Sequence, residues 1–202
     1  MSAVVNAPRW AERILRLVLG PDRAETVYGD LLEEYRDKIY PARGASSADT
    51  WLAIQVGGFV YRALWAWIAV AALAFIGRSV ADTFWPPADF NWGPRSAFTT
   101  YTLSAFFVAA GGWAARRSGR VVSGALAAAA AHVAASAIAI VYDVAFFFAI
   151  IQPSPERLRL FRMTGGWEEL LIMPLVILPV VLALGAIGGV LGFLNSRRPA
   201  LT

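Results

Sequence analysis

The sequence predicts an all-α integral membrane protein: a small cytoplasmic helical module followed by a four-helix transmembrane bundle. Three observations carry that expectation. Of the 202 residues, 58% are hydrophobic and only 16% charged, where an ordinary soluble domain has about 45–50% and about 25%. The mean hydropathy is +0.55, and the apolar residues fall in long runs after residue 62. Before it lie eight basic and eight acidic side chains, a different texture from the rest. The chain has no cysteine, which excludes disulfides and thiolate metal sites. Its one histidine, His132, excludes a zinc site built from several His or Cys ligands. No metal site is expected.

Residues 1–62 read as the helical module. Asn6 can cap a first helix with Pro8 in its first turn, where a missing N–H costs nothing. Trp10, Ile14, Leu17 and Val18 then share a face. Gly20-Pro21-Asp22 ends that helix and starts a second, whose apolar stripe is Val27, Leu31, Tyr35 and Ile39. Pro41-Ala42-Arg43-Gly44 ends the second. Ser46 and Asp49 have capping-box spacing for a third, which would carry Trp51, Gln55 and Tyr61 toward the membrane.

Four spans follow, at about 63–81, 96–115, 121–151 and 170–194. Arg78 sits near the end of the first, where its stem can snorkel. The third run has 31 residues, about 46 Å of helix at 1.5 Å per residue. That exceeds a hydrocarbon core of about 30 Å, so the helix must tilt, kink or project. Pro174 and Pro179 interrupt the fourth. No hydrophobic stretch near Met1 suits a signal peptide, which leaves the N-terminus in the cytoplasm. With that orientation 13 Lys and Arg residues, Arg197 and Arg198 among them, fall inside and five outside. The expected location is a bacterial inner membrane with both termini cytoplasmic. Trp85, Trp92, Trp113 and Trp167 lie near span ends, where amphipathic rings favour the interface.

The string Pro8-Arg9-Trp10-Ala11-Glu12-Arg13-Ile14-Leu15-Arg16-Leu17, then Tyr28-Gly29-Asp30-Leu31-Leu32-Glu33-Glu34-Tyr35, then Trp51 and Gln55 before a span, resembles the permease prefix domain. That module precedes ABC-type permeases of the macrolide-exporter class, and the resemblance covers about residues 7–62. It implies a docking or regulatory role beside an exporter. The remainder departs from those permeases: the loop after the first span is short, and no G-x-x-x-x-G-K-[ST] phosphate loop is present.

Inside the spans, ionisable groups are costly and suggest function. His132 lies mid-span among alanines, and three readings compete. It can be a neutral donor to a carbonyl or to Thr102, Ser104 or Ser136. It can be the axial ligand of a tetrapyrrole, with Ala128 four residues before it as in light-harvesting helices. Or it can form a proton or ion relay with Asp143, 11 residues on. Eleven residues bring the helix to within about 20° of full turns, placing both side chains on one face about 16 Å apart. Against the relay, Asp143 near the outer end can simply be solvated or paired with Arg78 or Arg157.

Two further features point to partners. Asp30, Glu33, Glu34 and Asp37 make an acidic face, a candidate docking surface for a basic partner, in which Glu34 and Lys38 have i, i+4 spacing. Gly185, Gly188, Gly189 and Gly192 form a flat ridge for close helix packing, against a helix of this chain or of another. The balanced charge of the module argues against nucleic acid. No Ser–His–Asp constellation is spaced for catalysis. The expectation is thus a non-enzymatic accessory or regulatory subunit of a larger membrane complex, held in the lipid bilayer beside a membrane-protein partner. The alternatives are a small proton- or ion-coupled carrier using His132 and Asp143, and a tetrapyrrole-binding subunit.

Overall fold

The computed structural model describes residues 8–197, and among them there are helices and connecting turns but no strand. Asn6 and Arg198 lie outside the described residues. Helix α1 (Arg9–Leu19) begins after Pro8, whose extended backbone makes it the flanking residue rather than part of the first turn as expected. Gly20 follows at φ 87°, ψ 164°, a region open in practice only to glycine. It lets α2 (Pro21–Glu34) start at once, with Pro21 in the first turn.

A π-helical turn, Tyr35–Ile39, continues α2 into α3 (Tyr40–Phe84). Its wider winding spoils i, i+4 spacing, and among the described residues no ion pair joins Glu34 to Lys38. Pro41 fits the first turn of α3, and the break falls at Gly44 alone (φ 74°, ψ 173°), again a glycine conformation. From there α3 runs without interruption to Phe84. Asp49 accepts a hydrogen bond from the Tyr35 hydroxyl at 2.8 Å, so its carboxylate ties α3 to the π-turn. Leu15, Ala24, Leu31, Tyr35, Leu52 and Val56 are buried together. The start of α3 is thus part of the module's core as well as the stem of the first apolar run.

The chain then forms α4 (Gly93–Ser118), α5 (Val121–Phe146) with a π-helical turn at Phe147–Ile151, α6 (Pro155–Met163), α7 (Gly166–Leu171) and α8 (Met173–Ser196). Helix α5 touches α3, α4 and α8, and α8 also lies along α4. Three helical stretches among the described residues are long and apolar enough to cross a membrane: Pro21–Phe84, Val121–Ile151 and Gly166–Ser196. Helix α4, expected as a span over 96–115, is not one of them. Its hydroxyls at Thr99, Thr100, Thr102 and Ser104 lower its apolarity, and three of these turn toward a cavity described below. Large side chains on all four long helices face outward, including Leu73, Phe98, Val141 and Leu175. Such a surface matches hydrocarbon better than water, consistent with a membrane location.

Two expectations need correction. The stretch between the third and fourth apolar runs holds two short helices rather than a loop. Ser154 caps α6 by accepting from the Arg157 amide at 3.4 Å, with Pro155 in the first turn and Glu156 beside it. Left-handed Gly165 then separates α6 from α7. The fourth apolar run is also divided, since α7 ends before Ile172. Pro174 therefore sits in the first turn of α8, where it starts the helix instead of kinking it, and only Pro179 is internal.

The glycine ridge packs within the chain. A Cβ on Gly188 would collide with the Val108 carbonyl, and one on Gly192 with the Gly112 carbonyl, both on α4. On the other flank a Cβ on Gly189 would lie 2.6 Å from the Val121 carbonyl oxygen of α5. Gly185 meets Gly111 on one side and Gly124 on the other. The module docks on the same end of the long helices: a Cβ on Gly20 would lie 2.7 Å from the Arg117 carbonyl oxygen.

Candidate functional site

The two ionisable residues singled out in the third apolar run, His132 and Asp143, face a cavity on the side of the molecule away from the module. Helix α5 presents His132, Ser136, Ala139 and Asp143 on one face, at intervals of four, three and four residues. All four line a cavity of about 470 Å³, within the range of small-molecule sites. Phe75 and Ser79 of α3, Leu103, Ser104 and Phe107 of α4, and Pro174, Ile177 and Val181 of α8 complete its walls. Phe161, Thr164 and Glu169 of the α6–α7 segment also line it.

His132 is 2% exposed. Its Nε2 lies 2.9 Å from the Pro174 carbonyl oxygen. That oxygen can only accept, so Nε2 carries a proton, and in the neutral imidazole Nδ1 is then an acceptor. Nδ1 is buried and finds no protein partner. Phe75 and Phe107 stand edge-on to the imidazole, at centroid distances of 5.9 and 5.7 Å. The arrangement does not fit an axial tetrapyrrole ligand. Nε2, the nitrogen such a ligand would use, is already taken by the Pro174 carbonyl.

Asp143 is also buried. Its Oδ2 accepts from the Ser79 hydroxyl at 3.1 Å, and its Oδ1 has no protein partner. Neither suggested arginine pairs with it. Arg78 is held by Asp82 (3.4 Å) and Glu169 (3.6 Å) and donates to Ser96 Oγ at 3.0 Å. Arg157 lies over the Phe84 ring at 4.9 Å and donates to the Ile150 carbonyl. Arg95 secures Asp82 at 2.7 Å and the Trp85 carbonyl at 2.8 Å. A charged girdle of Arg78, Asp82, Arg95 and Glu169 therefore joins α3, α4 and α7 at the far end.

His132 and Asp143 thus share one cavity, with the unpartnered Ser136 hydroxyl between them along α5. The acidic quartet lies at the opposite end, on the module: Asp30, Glu33 and Asp37 are exposed and Glu34 is half-buried. Among the described residues no group of three His, Cys, Asp or Glu side chains is placed to hold a metal ion. Sequence reasoning missed Ser79 and Glu169. Ser79 carried a usable signal, because Phe75, Ser79 and Asp82 fall at i, i+4 and i+7 on one face. Glu169 belongs to a segment read as a loop, which gave it no direction.

The chain matches no protein-family model, no curated protein and no solved structure.

Proposed function

We propose that this chain is a non-enzymatic accessory or regulatory subunit of a larger bacterial membrane complex. Four transmembrane helices anchor it in the inner membrane, with both termini and the module on the cytoplasmic side. One observation carries the reading. The module has its own buried core, is joined to the long helices through α3, and still turns Asp30, Glu33 and Asp37 outward. The prefix-domain resemblance of residues 7–62 adds an ABC-type exporter as the class of partner. The glycine ridge no longer contributes, since α4 and α5 occupy it.

The test is affinity recovery of the tagged chain from its native membranes in mild detergent, with identification of co-purifying proteins. A stoichiometric membrane partner, lost when Asp30, Glu33 and Asp37 are changed to Asn, Gln and Asn, is the expected outcome. Recovery of the chain alone across several detergents counts against the subunit. A second reading, the small carrier, draws on the shared cavity of His132 and Asp143. It requires that His132→Ala and Asp143→Asn abolish a flux in a folded protein.

A further inference from the structure

We infer that the cavity between α3, α4, α5 and α8 is a binding site for an amphipathic organic ammonium, an apolar body ending in a protonated amine. The inference stands apart from the subunit reading, because it concerns the end of the molecule opposite the module.

The argument starts from the buried groups that protein leaves unsatisfied. His132 Nδ1, Ser136 Oγ and Asp143 Oδ1 are all buried, all without a protein partner, and all on residues that line this cavity. Buried polar atoms normally find partners, and leaving one unpaired costs about 1–3 kcal/mol. With a neutral imidazole and an ionised carboxylate, Nδ1 and Oδ1 only accept, and the serine hydroxyl accepts as well. The cavity therefore asks for donors.

Charge narrows the class. The lining carboxylates are Asp82, Asp143 and Glu169, and the lining cation is Arg78. Asp82 is paired with Arg78 and Arg95, and Glu169 with Arg78. Asp143 has only the Ser79 hydroxyl. A buried carboxylate without a cation is expensive, and a ligand ammonium supplies the missing partner. Phe146 and Phe161 line the same space, and an aromatic ring attracts a cation that reaches its face. Leu103, Ile177, Val181 and Leu184 supply the apolar wall for the rest of the ligand.

The walls also indicate the route. Thr100 of α4 and Val180 of α8 both line the cavity and are exposed. Residues of α4 and α8 thus extend from the cavity wall to the outer surface, the flank from which an amphipathic molecule dissolved in the bilayer would enter.

The test uses the full chain in lipid nanodiscs with three probes of one length: n-octylammonium, n-octanol and n-octanoate. Binding is read as probe uptake above empty nanodiscs, with the thermal midpoint as a second readout. The ammonium is expected to bind at least tenfold more tightly than the alcohol, with no binding of the carboxylate. Asp143→Asn should remove that preference while leaving the helical circular dichroism unchanged. Leu103→Trp, which fills the cavity from α4 without touching a charge, should abolish ammonium uptake and serves if Asp143→Asn fails to fold. Equal binding of the three probes would overturn the proposal, as would no binding by a folded chain. So would an ammonium preference that survives either folded variant, since the amine would then sit elsewhere.

Discussion

Tyr35 shows how a single side chain makes the module responsive to its medium. Its hydroxyl is buried beside Asp49, and burial first, then the hydrogen bond and the negative charge of Asp49, push its pKa from 10.0 up to about 12. The folded module therefore holds this proton more tightly than the unfolded chain does. Its contribution to stability is complete below pH 10.0 and drains away as the pH climbs toward about 12. Unfolding followed through Trp10 and Trp51 should show the module losing stability across that interval. Tyr35→Phe has no proton to lose and should flatten this part of the profile, at the cost of one hydrogen bond, about 1 kcal/mol at neutral pH. Identical alkaline slopes in the two proteins would show that Tyr35 does not control it.

At the scale of elements, glycines fall into two groups that the sequence does not distinguish. Those of α8 sit against backbone, whereas Gly77 in α3 has nothing near its missing side chain. Gly188→Ala pushes a methyl group into the Val108 carbonyl and should destabilise the chain by about 1–3 kcal/mol. Gly77→Ala should stabilise by about 0.5–1 kcal/mol, since it only restricts the unfolded chain and favours helix. Thermal denaturation in one detergent compares them directly, and shifts of the same sign would refute the packing described here. The ridge itself was legible, because Gly185, Gly188, Gly189 and Gly192 repeat at helical spacing. Its partners were not, since Gly111, Gly112 and Gly124 become complementary only once three helices meet. The same holds for the cavity. The spacing of His132 and Asp143 was readable along one helix, but Ser79 and the Pro174 carbonyl come from others. The helices α6 and α7 were missed although Ser154-Pro155-Glu156 is a helix-start signature, because three arginines nearby read as a polar loop.

Over the whole molecule, the proposed orientation places the module and the turn at Gly119 on one side of the bilayer. Phe84–Gly93 and the α6–α7 segment then lie on the other. The absence of native cysteine makes this directly measurable with single introduced thiols. Asp89→Cys should react with a membrane-impermeant maleimide added to spheroplasts, and Lys38→Cys only after the membrane is opened. The reverse pattern would invert the topology. Reaction of both in sealed spheroplasts would contradict a membrane between them.

Helix α3 has a mechanical consequence. Beyond Gly44 it is one uninterrupted rod of about 60 Å at 1.5 Å per residue, roughly twice the hydrocarbon thickness. One end carries Phe75 and Ser79 on the cavity wall, and the other carries Leu52 and Val56 in the module core. Such a rod is a lever. A tilt of about 10° pivoted at the cavity would sweep its opposite end through about 10 Å. Because Gly20 of the module also lies against the Arg117 carbonyl of α4, any such tilt would have to shift that contact as well.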